Sequence, residues 1–430
     1  MSTSTIALII LACCIVLWVT ELIPLVITAV MGATAMIATG VLTLAQGYGP
    51  FASETVWVVL GMTTVGNAMF ETGAAQKIGN VIIKFAGDNE RRLVMISSFA
   101  AGVISAFMAN TGTTALFIAI FGGLIAANPK LNLKNLLLPV GITTCVGGAC
   151  TLVGSTPQLV ARGIMVDMLG QDIGFFTQTP VGAILLIACV AYFTSFGYTW
   201  CKKIWGDKSE EEIQAAQSAN VQSEETKAEV NMTKIYTIII IFALAVAGFI
   251  TGAFNSIGIV AMIAGLCAIV TKCISSKRCF EMMDWNTVGV LGGALGIAAG
   301  LDVSGAGKMI ALNFINMVGT EASAFTIFAM IMLIAVILTQ FMSNTALVAM
   351  ILPVVLFITM DMGLNSYSFA MGIIFAANMS FSTPLATPTV TMSMVAGYSF
   401  MDIVKYALPL NVVAYFLVIL FVPLFFPLTL

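Results

Sequence analysis

Eight stretches of this chain are apolar over a length that reaches across the hydrocarbon core of a bilayer: 6–22, 25–44, 55–71, 180–200, 235–253, 256–274, 285–301 and 408–428. A helix makes that crossing with about 20 residues. In lipid, every backbone N–H and C=O needs a partner inside the protein, so runs of this kind must be helices. Composition agrees: 60% of residues are hydrophobic and 9% charged, where soluble domains carry about 25% charged residues. The first run is not read as a cleaved signal. No basic region precedes it, and it continues through Glu21, a helix-end feature, and Pro24 into the second run.

Four more regions are apolar but interrupted. Asn110-Thr111 divides 93–127, and Gly154-Ser155-Thr156-Pro157 divides 135–169. Ser343-Asn344-Thr345 divides 324–358, and Thr383-Pro384 with Thr387-Pro388 divides 367–397. Broken backbone at membrane depth is tolerated only inside protein or along a wet cavity. The expected arrangement is an all-α polytopic membrane protein. It has ten spans, two of them unwound near mid-bilayer (135–169 and 367–397), and two re-entrant hairpins (93–127 and 324–358).

Positive charge orients it. With 201–234 in the cytoplasm, counting crossings outward places 15 of the 17 Lys and Arg inside. Lys308 falls outside and Arg162 within a span. The positive-inside rule asks for this asymmetry, and it holds only if the two divided segments are hairpins. The expected location is the plasma (inner) membrane, with both termini outside. Residues 201–234 hold Glu210, Glu211, Glu212, Glu224, Glu225 and Glu229 and read as a solvated cytoplasmic linker.

The segments flanking this linker, 1–200 and 235–430, read as repeats. Offset by 231, Leu60-Gly61 aligns with Leu291-Gly292, Glu71 with Asp302, Lys77 with Lys308, and Thr156-Pro157 with Thr387-Pro388. At 234, Met108-Ala109-Asn110-Thr111 aligns with Met342-Ser343-Asn344-Thr345. Each half holds five spans and one hairpin. An odd number of crossings turns the second half upside down, and inverted repeats with corresponding broken helices belong to alternating-access transporters.

Several function classes drop out. The chain has no histidine, so His-based zinc sites, Ser-His or Cys-His catalysis and His proton relays are excluded. No carboxylate pair clusters within the spans, which counts against an enzyme. Nine cysteines form no CxxC pair and read as small apolar filler. A net charge of −3 argues against nucleic acid, and no Walker motif supports ATP-driven pumping. An anion channel would need a continuous lined pore.

The hairpin tips and helix breaks should meet near mid-membrane. Half-helix N-termini favour anions there, and half-helix C-termini favour cations. Asn110, Thr111, Ser343, Asn344 and Thr345 add amide and hydroxyl groups that suit Na⁺ or donate to a carboxylate. The same groups also suit capping of the breaks. Arg162 lies inside an apolar run, where a charge faces a cavity or a partner. It either attracts an anion, snorkels, or pairs with Asp167 or Asp172. Its repeat counterpart is Ser393.

Several of these segments resemble the divalent anion/sodium symporter (DASS) family, which includes the INDY-type dicarboxylate transporters. Trp18-Val19-Thr20-Glu21-Leu22-Ile23-Pro24 resembles its W-x-TE-x-IP signature. Asp284-Trp285 with Leu291-Gly292-Gly293 is similar to its DW…GGG segment, and Ser343-Asn344-Thr345 to its SNT tip. Gly147-Gly148 through Leu152-Val153-Gly154 resembles the stretch before its TPPN motif. The resemblance spans nearly the whole chain. It implies a scaffold and a transport domain, an elevator-type movement, a homodimer, and two Na⁺ sites flanking one substrate site. It places one Na⁺ site at Asn110, Gly154 and Ser155 and the other at Asn344, Ala386 and Thr387. Hydroxyls of the tips, with Ser155, Thr156 and Thr387, would bind substrate carboxylates. Ala109 departs from the family's serine, and Gln158 and Val390 depart from its TPPN motif. The expected function is Na⁺-coupled transport of di- or tricarboxylates. A Na⁺-independent exchanger and a carrier of sulfate or a monocarboxylate stand as alternatives.

Overall fold

The computed structural model describes all residues except 21, 78, 80–88, 129–130, 206–230, 319–321 and 430. Among the described residues the regular structure is helical. The first segment runs α1 (Thr3–Thr20), α2 (Leu25–Ala38), short α3 (Leu44–Tyr48), α4 (Glu54–Glu71), α5 (Glu90–Ser105), α6 (Asn110–Ala127), α7 (Leu133–Gly148), α8 (Thr156–Leu169), α9 (Thr179–Thr194) and α10 (Phe196–Trp205). The second runs α11 (Met232–Thr251), α12 (Ile257–Val270), short α13 (Ser276–Glu281), α14 (Trp285–Val303), α15 (Ala306–Val318), α16 (Ala324–Leu338), α17 (Asn344–Asp361), α18 (Ser366–Ala377), α19 (Pro388–Ser393) and α20 (Phe400–Phe425). Side chains set many of the starts. Asn89, Asn132, Asn231, Ser256 and Ser323 each accept a hydrogen bond from an amide of the turn that follows. Gly170 and Gly252, both left-handed, end α8 and α11.

Among the described residues five helices, α1, α11, α14, α17 and α20, are long and apolar enough to cross a membrane, and six if the bent pair α9–α10 counts as one. Five more apolar helices are shorter. The interrupted regions break where polar residues enter them: at 106–109 between α5 and α6, at 339–343 between α16 and α17, and in the loops 149–155 and 378–387.

Several boundaries differ from the sequence reading, the run 25–44 among them, whose helix stops at Ala38. The run 180–200 bends by 51° at Ser195, because hydropathy reports depth and is blind to direction. The last helix starts at Phe400, eight residues early, with Ser399 and Asp402 forming a capping box. Helix α15 was not foreseen; Gly307 on it lies against the Phe357 ring of α17. Helix also reaches into both ends of 201–234. Helix α10 runs to Trp205 and α11 starts at Met232, while 206–230 lie outside the described residues, as does Glu21.

Helices α1–α4 and α11–α14 follow one order, and α5–α8 and α16–α19 another, while α15 and the bent pair α9–α10 fall outside this match. Packing is reciprocal as well: α4 lies along α12, and its counterpart α14 lies along α2. Both crossings bring backbone to backbone. A Cβ on Gly61 would sit 2.2 Å from the Ala261 carbonyl oxygen, and one on Gly293 would sit 2.4 Å from the Ala29 carbonyl carbon. Small residues permit this approach between membrane helices. Gly61→Val and Gly293→Val should therefore each abolish the monodisperse peak in size-exclusion chromatography, since backbone cannot move aside. A normal elution profile for either would contradict these crossings. The central helices α14 and α17 are 67% and 72% buried, against 22–28% for α1, α11 and α20, so the chemistry has to be sought beside the former pair.

Candidate functional site

A cavity of about 540 Å³ opens where the two tips, the two breaks, α4 and the start of α14 converge. Asn110, Thr111, Gly154, Ser155, Thr156, Ser343, Asn344, Thr345, Ala386 and Thr387 all line it. Residues 110 and 344 stand 234 positions apart in sequence, and the fold brings them to one chamber.

Each tip asparagine meets the last turn before its break. The Ser105 hydroxyl donates to Asn110 Oδ1 at 2.6 Å, and the Thr339 hydroxyl, which donates to the Ala377 carbonyl at 2.9 Å, lies 3.4 Å from Asn344 Oδ1. The breaks are tied to the tips in matching ways. Thr151 donates to the Ala106 carbonyl, and Thr383 to the Gln340 carbonyl. The breaks also meet each other, because the Ser155 hydroxyl contacts Gln158 Oε1 (2.6 Å) and Asn378 Oδ1 (2.9 Å). Gln158 Nε2 donates to the Gly148 carbonyl at 2.9 Å.

Around Asn110 the backbone is shaped for a small ligand. A Cβ on Gly148 would fall 2.4 Å from Asn110 Oδ1, and one on Gly154 would fall 2.3 Å from the Gly148 carbonyl oxygen. Two glycines thus let carbonyl groups crowd beside a carboxamide oxygen. Such neutral oxygens suit a hard monovalent cation. Near Asn344 the surroundings differ. Its Nδ2 lies 3.9 Å from the Cys145 sulfur, and Thr387 donates its hydroxyl to the Ser380 carbonyl at 2.8 Å.

The helix starts matter most for an anion. Helices α6, α8, α17 and α19 all begin at the cavity, and none has a side-chain cap from Ala109, Ser155, Ser343 or Thr387; α6 and α17 present full sets of first-turn amides, whereas Pro157 and Pro388 carry no N–H and the Val390 amide bonds the Thr387 carbonyl. Unsatisfied N–H groups at a helix start attract negative charge. The fifth start there, α14, is capped by Asp284, which accepts from the Thr287 amide at 3.0 Å. Asp284 is also the one charged residue among those lining the cavity.

Sequence reasoning missed one wall. Thr63 and Asn67 of α4, with Asp284, Asn286 and Thr287, face the cavity. Asn67 Nδ2 donates to the Met282 carbonyl at 2.9 Å, and the Thr156 and Thr287 hydroxyls meet at 3.1 Å. Thr63 and Asn67 are spaced i, i+4 in an apolar helix, a polar stripe visible in the sequence.

Arg162 does not line the cavity. It is 1% exposed and bound by Glu54 (2.7 Å), by both Asp172 oxygens (2.6 and 2.9 Å) and by the Thr55 hydroxyl (2.9 Å). Of the partners weighed from sequence, Asp172 is the observed one. Glu54 is the unexpected one, and it also accepts from Ser256 and from the Gly258 amide. The cluster joins α4, α8 and the start of α12.

Comparison with known proteins adds a family. The family model described as citrate transporter matches residues 15–257 and 247–429. An uncharacterised transporter of Synechocystis sp. is 30% identical over 188 residues, covering 44% of this chain and 30% of that protein. The sodium-dependent dicarboxylate transporter SdcS of Staphylococcus saprophyticus is 22% identical over 408 residues, 86% of this chain and 76% of its own. Among solved structures, MtrF of Neisseria gonorrhoeae superposes with a TM-score of 0.64 at 13% identity, covering 92% of this chain and 85% of MtrF. That likeness concerns the fold. The family match and SdcS agree with the resemblance read from the sequence.

Proposed function

The chain belongs to the citrate transporter family, an integral membrane transporter family, and on that premise we propose that it is a secondary active carrier of di- or tricarboxylates, coupled to Na⁺. The observation that carries this reading is the convergence of four helix starts without side-chain caps on a cavity with no lysine or arginine among its described lining residues. Amides at those starts, with the Thr111, Ser343 and Thr345 hydroxyls, would bind the carboxylates. Backbone dipoles alone offset little of a full double charge. Cations carried along with the anion supply the rest, and the neutral oxygens at Asn110, Gly154 and Ser155, and at Asn344, Ala386 and Thr387, are where Na⁺ would sit.

The reading extends to the architecture. Residues 1–200 and 235–430 form oppositely oriented halves, with 201–234 and the intervening basic loops cytoplasmic and both termini outside. The reciprocal packing of α4 on α12 and α14 on α2 supports it, since a twofold relation exchanges contacts in this way. Access to the cavity then alternates by an elevator-type movement in a homodimer.

Purified protein in liposomes should take up labelled succinate or citrate when an inward Na⁺ gradient is imposed, and lose that uptake when K⁺ replaces Na⁺. Uptake that depends on internal succinate and ignores Na⁺ would make the protein an exchanger and remove the cation assignments. Asp284 gives a second measurement. Asp284→Asn keeps a good cap for α14 but deletes the negative charge. It should lower the KM for succinate about fivefold, the factor given by about 1 kcal/mol of relieved repulsion. A raised KM would instead make Asp284 a ligand of the coupled cation.

A further inference from the structure

A second cavity, of about 650 Å³, lies where the end of α4, the start of α11 and the end of α12 meet. Glu71, Asn231, Lys234, Lys272, Cys273 and Ser276 are among its lining. Glu71 is already engaged by Arg278 at 2.8 Å. No carboxylate among the described residues pairs with Lys234 or Lys272. A third cation outside the cavity lining, Lys77, reaches the first turn of α11, 3.4 Å from the Met232 sulfur and 5.3 Å above the Tyr236 ring.

Two features indicate what this charge faces. Lys272 adopts φ +57° just past the end of α12, a left-handed position that glycine ordinarily fills. The chain keeps a long cationic side chain there despite the backbone strain. The cavity also sits at the end of apolar spans. Helix α11 has a mean hydropathy of 2.2, Val270 on the rim is 78% exposed, and Tyr236 of α11 is exposed as well. Lys234, in the first turn of a span, lies at the level of lipid head groups. Basic pockets between spans at that level hold phosphates whose apolar tails continue along the helices.

We propose that this cavity binds the phosphate of an anionic phospholipid, with Lys234 and Lys272 on the phosphate and the acyl chains along α11 and α12. Delipidated full-length protein, offered phosphatidylglycerol or phosphatidylcholine of matched chain length, should retain the former preferentially by native mass spectrometry. Lys234→Ala with Lys272→Ala should cut phosphatidylglycerol retention about tenfold or more, and the corresponding pair of arginines should restore it. Lys272→Gly guards against a folding failure. Glycine suits the left-handed backbone, so this variant should unfold no earlier than the parent yet lose about fivefold in retention. Equal retention of both lipids, or undiminished phosphatidylglycerol on the alanine pair, would overturn the proposal. Binding of inorganic phosphate as tight as that of the lipid in a calorimetric titration would assign the site to a free anion and overturn it as well.

Discussion

Replacing Asn110 with alanine should lower Na⁺-driven succinate uptake by about 30- to 150-fold, and Asn344→Ala should do likewise. Each carboxamide oxygen lies beside a hydroxyl from the preceding turn, Ser105 or Thr339. Losing a polar contact to a charged ligand removes about 2–3 kcal/mol, which is that factor in affinity. The two variants need not respond alike to Na⁺. Asn110 sits in the glycine-lined cradle of Gly148 and Gly154, whereas Asn344 faces Cys145. Asn110→Ala should therefore show the larger rise in the Na⁺ concentration needed for half-maximal uptake. Elution and thermal unfolding in detergent serve as controls for folding. Wild-type uptake by Asn110→Ala at low Na⁺ would remove the tips from the cation sites.

The second large effect concerns stability and has a counterintuitive sign. Removing both carboxylates around Arg162, as Glu54→Gln with Asp172→Asn, should destabilise the protein more than removing the arginine itself. Arg162 is 1% exposed, while the Glu54 and Asp172 side chains are 39% and 55% exposed. Without the arginine, as in Arg162→Met, both carboxylates can turn to water, and the loss is about 1–2 kcal/mol of hydrogen bonding. Without the carboxylates the buried guanidinium keeps only neutral acceptors, the two amide oxygens and the Thr55 hydroxyl, and a buried charge without its counter-ion costs about 3–5 kcal/mol. Thermal unfolding of the three proteins in one detergent gives the ranking. A lower midpoint for Arg162→Met than for the double carboxylate variant would mean that water reaches the guanidinium.

The site was legible because its residues are exceptions within long apolar stretches. Asn110-Thr111 and Ser343-Asn344-Thr345 interrupt runs that otherwise satisfy a bilayer, and the Thr-Pro pairs at 156 and 387 cannot continue a helix. The observed breaks fall at these positions. Asp172, ten residues from Arg162, was within reach of local reasoning. Glu54 was not, because a partner 108 residues away is chosen by the packing of α4 against α8 and leaves no local trace. Thr63 and Asn67 were visible as a stripe yet ambiguous, since a polar residue within a span can serve a neighbouring helix as well as a cavity. Helix α20 was placed late because Asp402 and Lys405 dilute the hydrophobic pattern of its first turns.

The uncapped starts of α6, α8, α17 and α19 carry an implication for anyone wishing to make the protein more robust. A side-chain cap stabilises a helix by about 1 kcal/mol, so these four positions are the obvious places to engineer heat resistance. They are also the places where an added aspartate or serine would occupy the amides that face the cavity. Here thermostability and cargo compete for the same N–H groups, and gains in the first should be sought at Ser53, an uncapped start that lies outside the chamber.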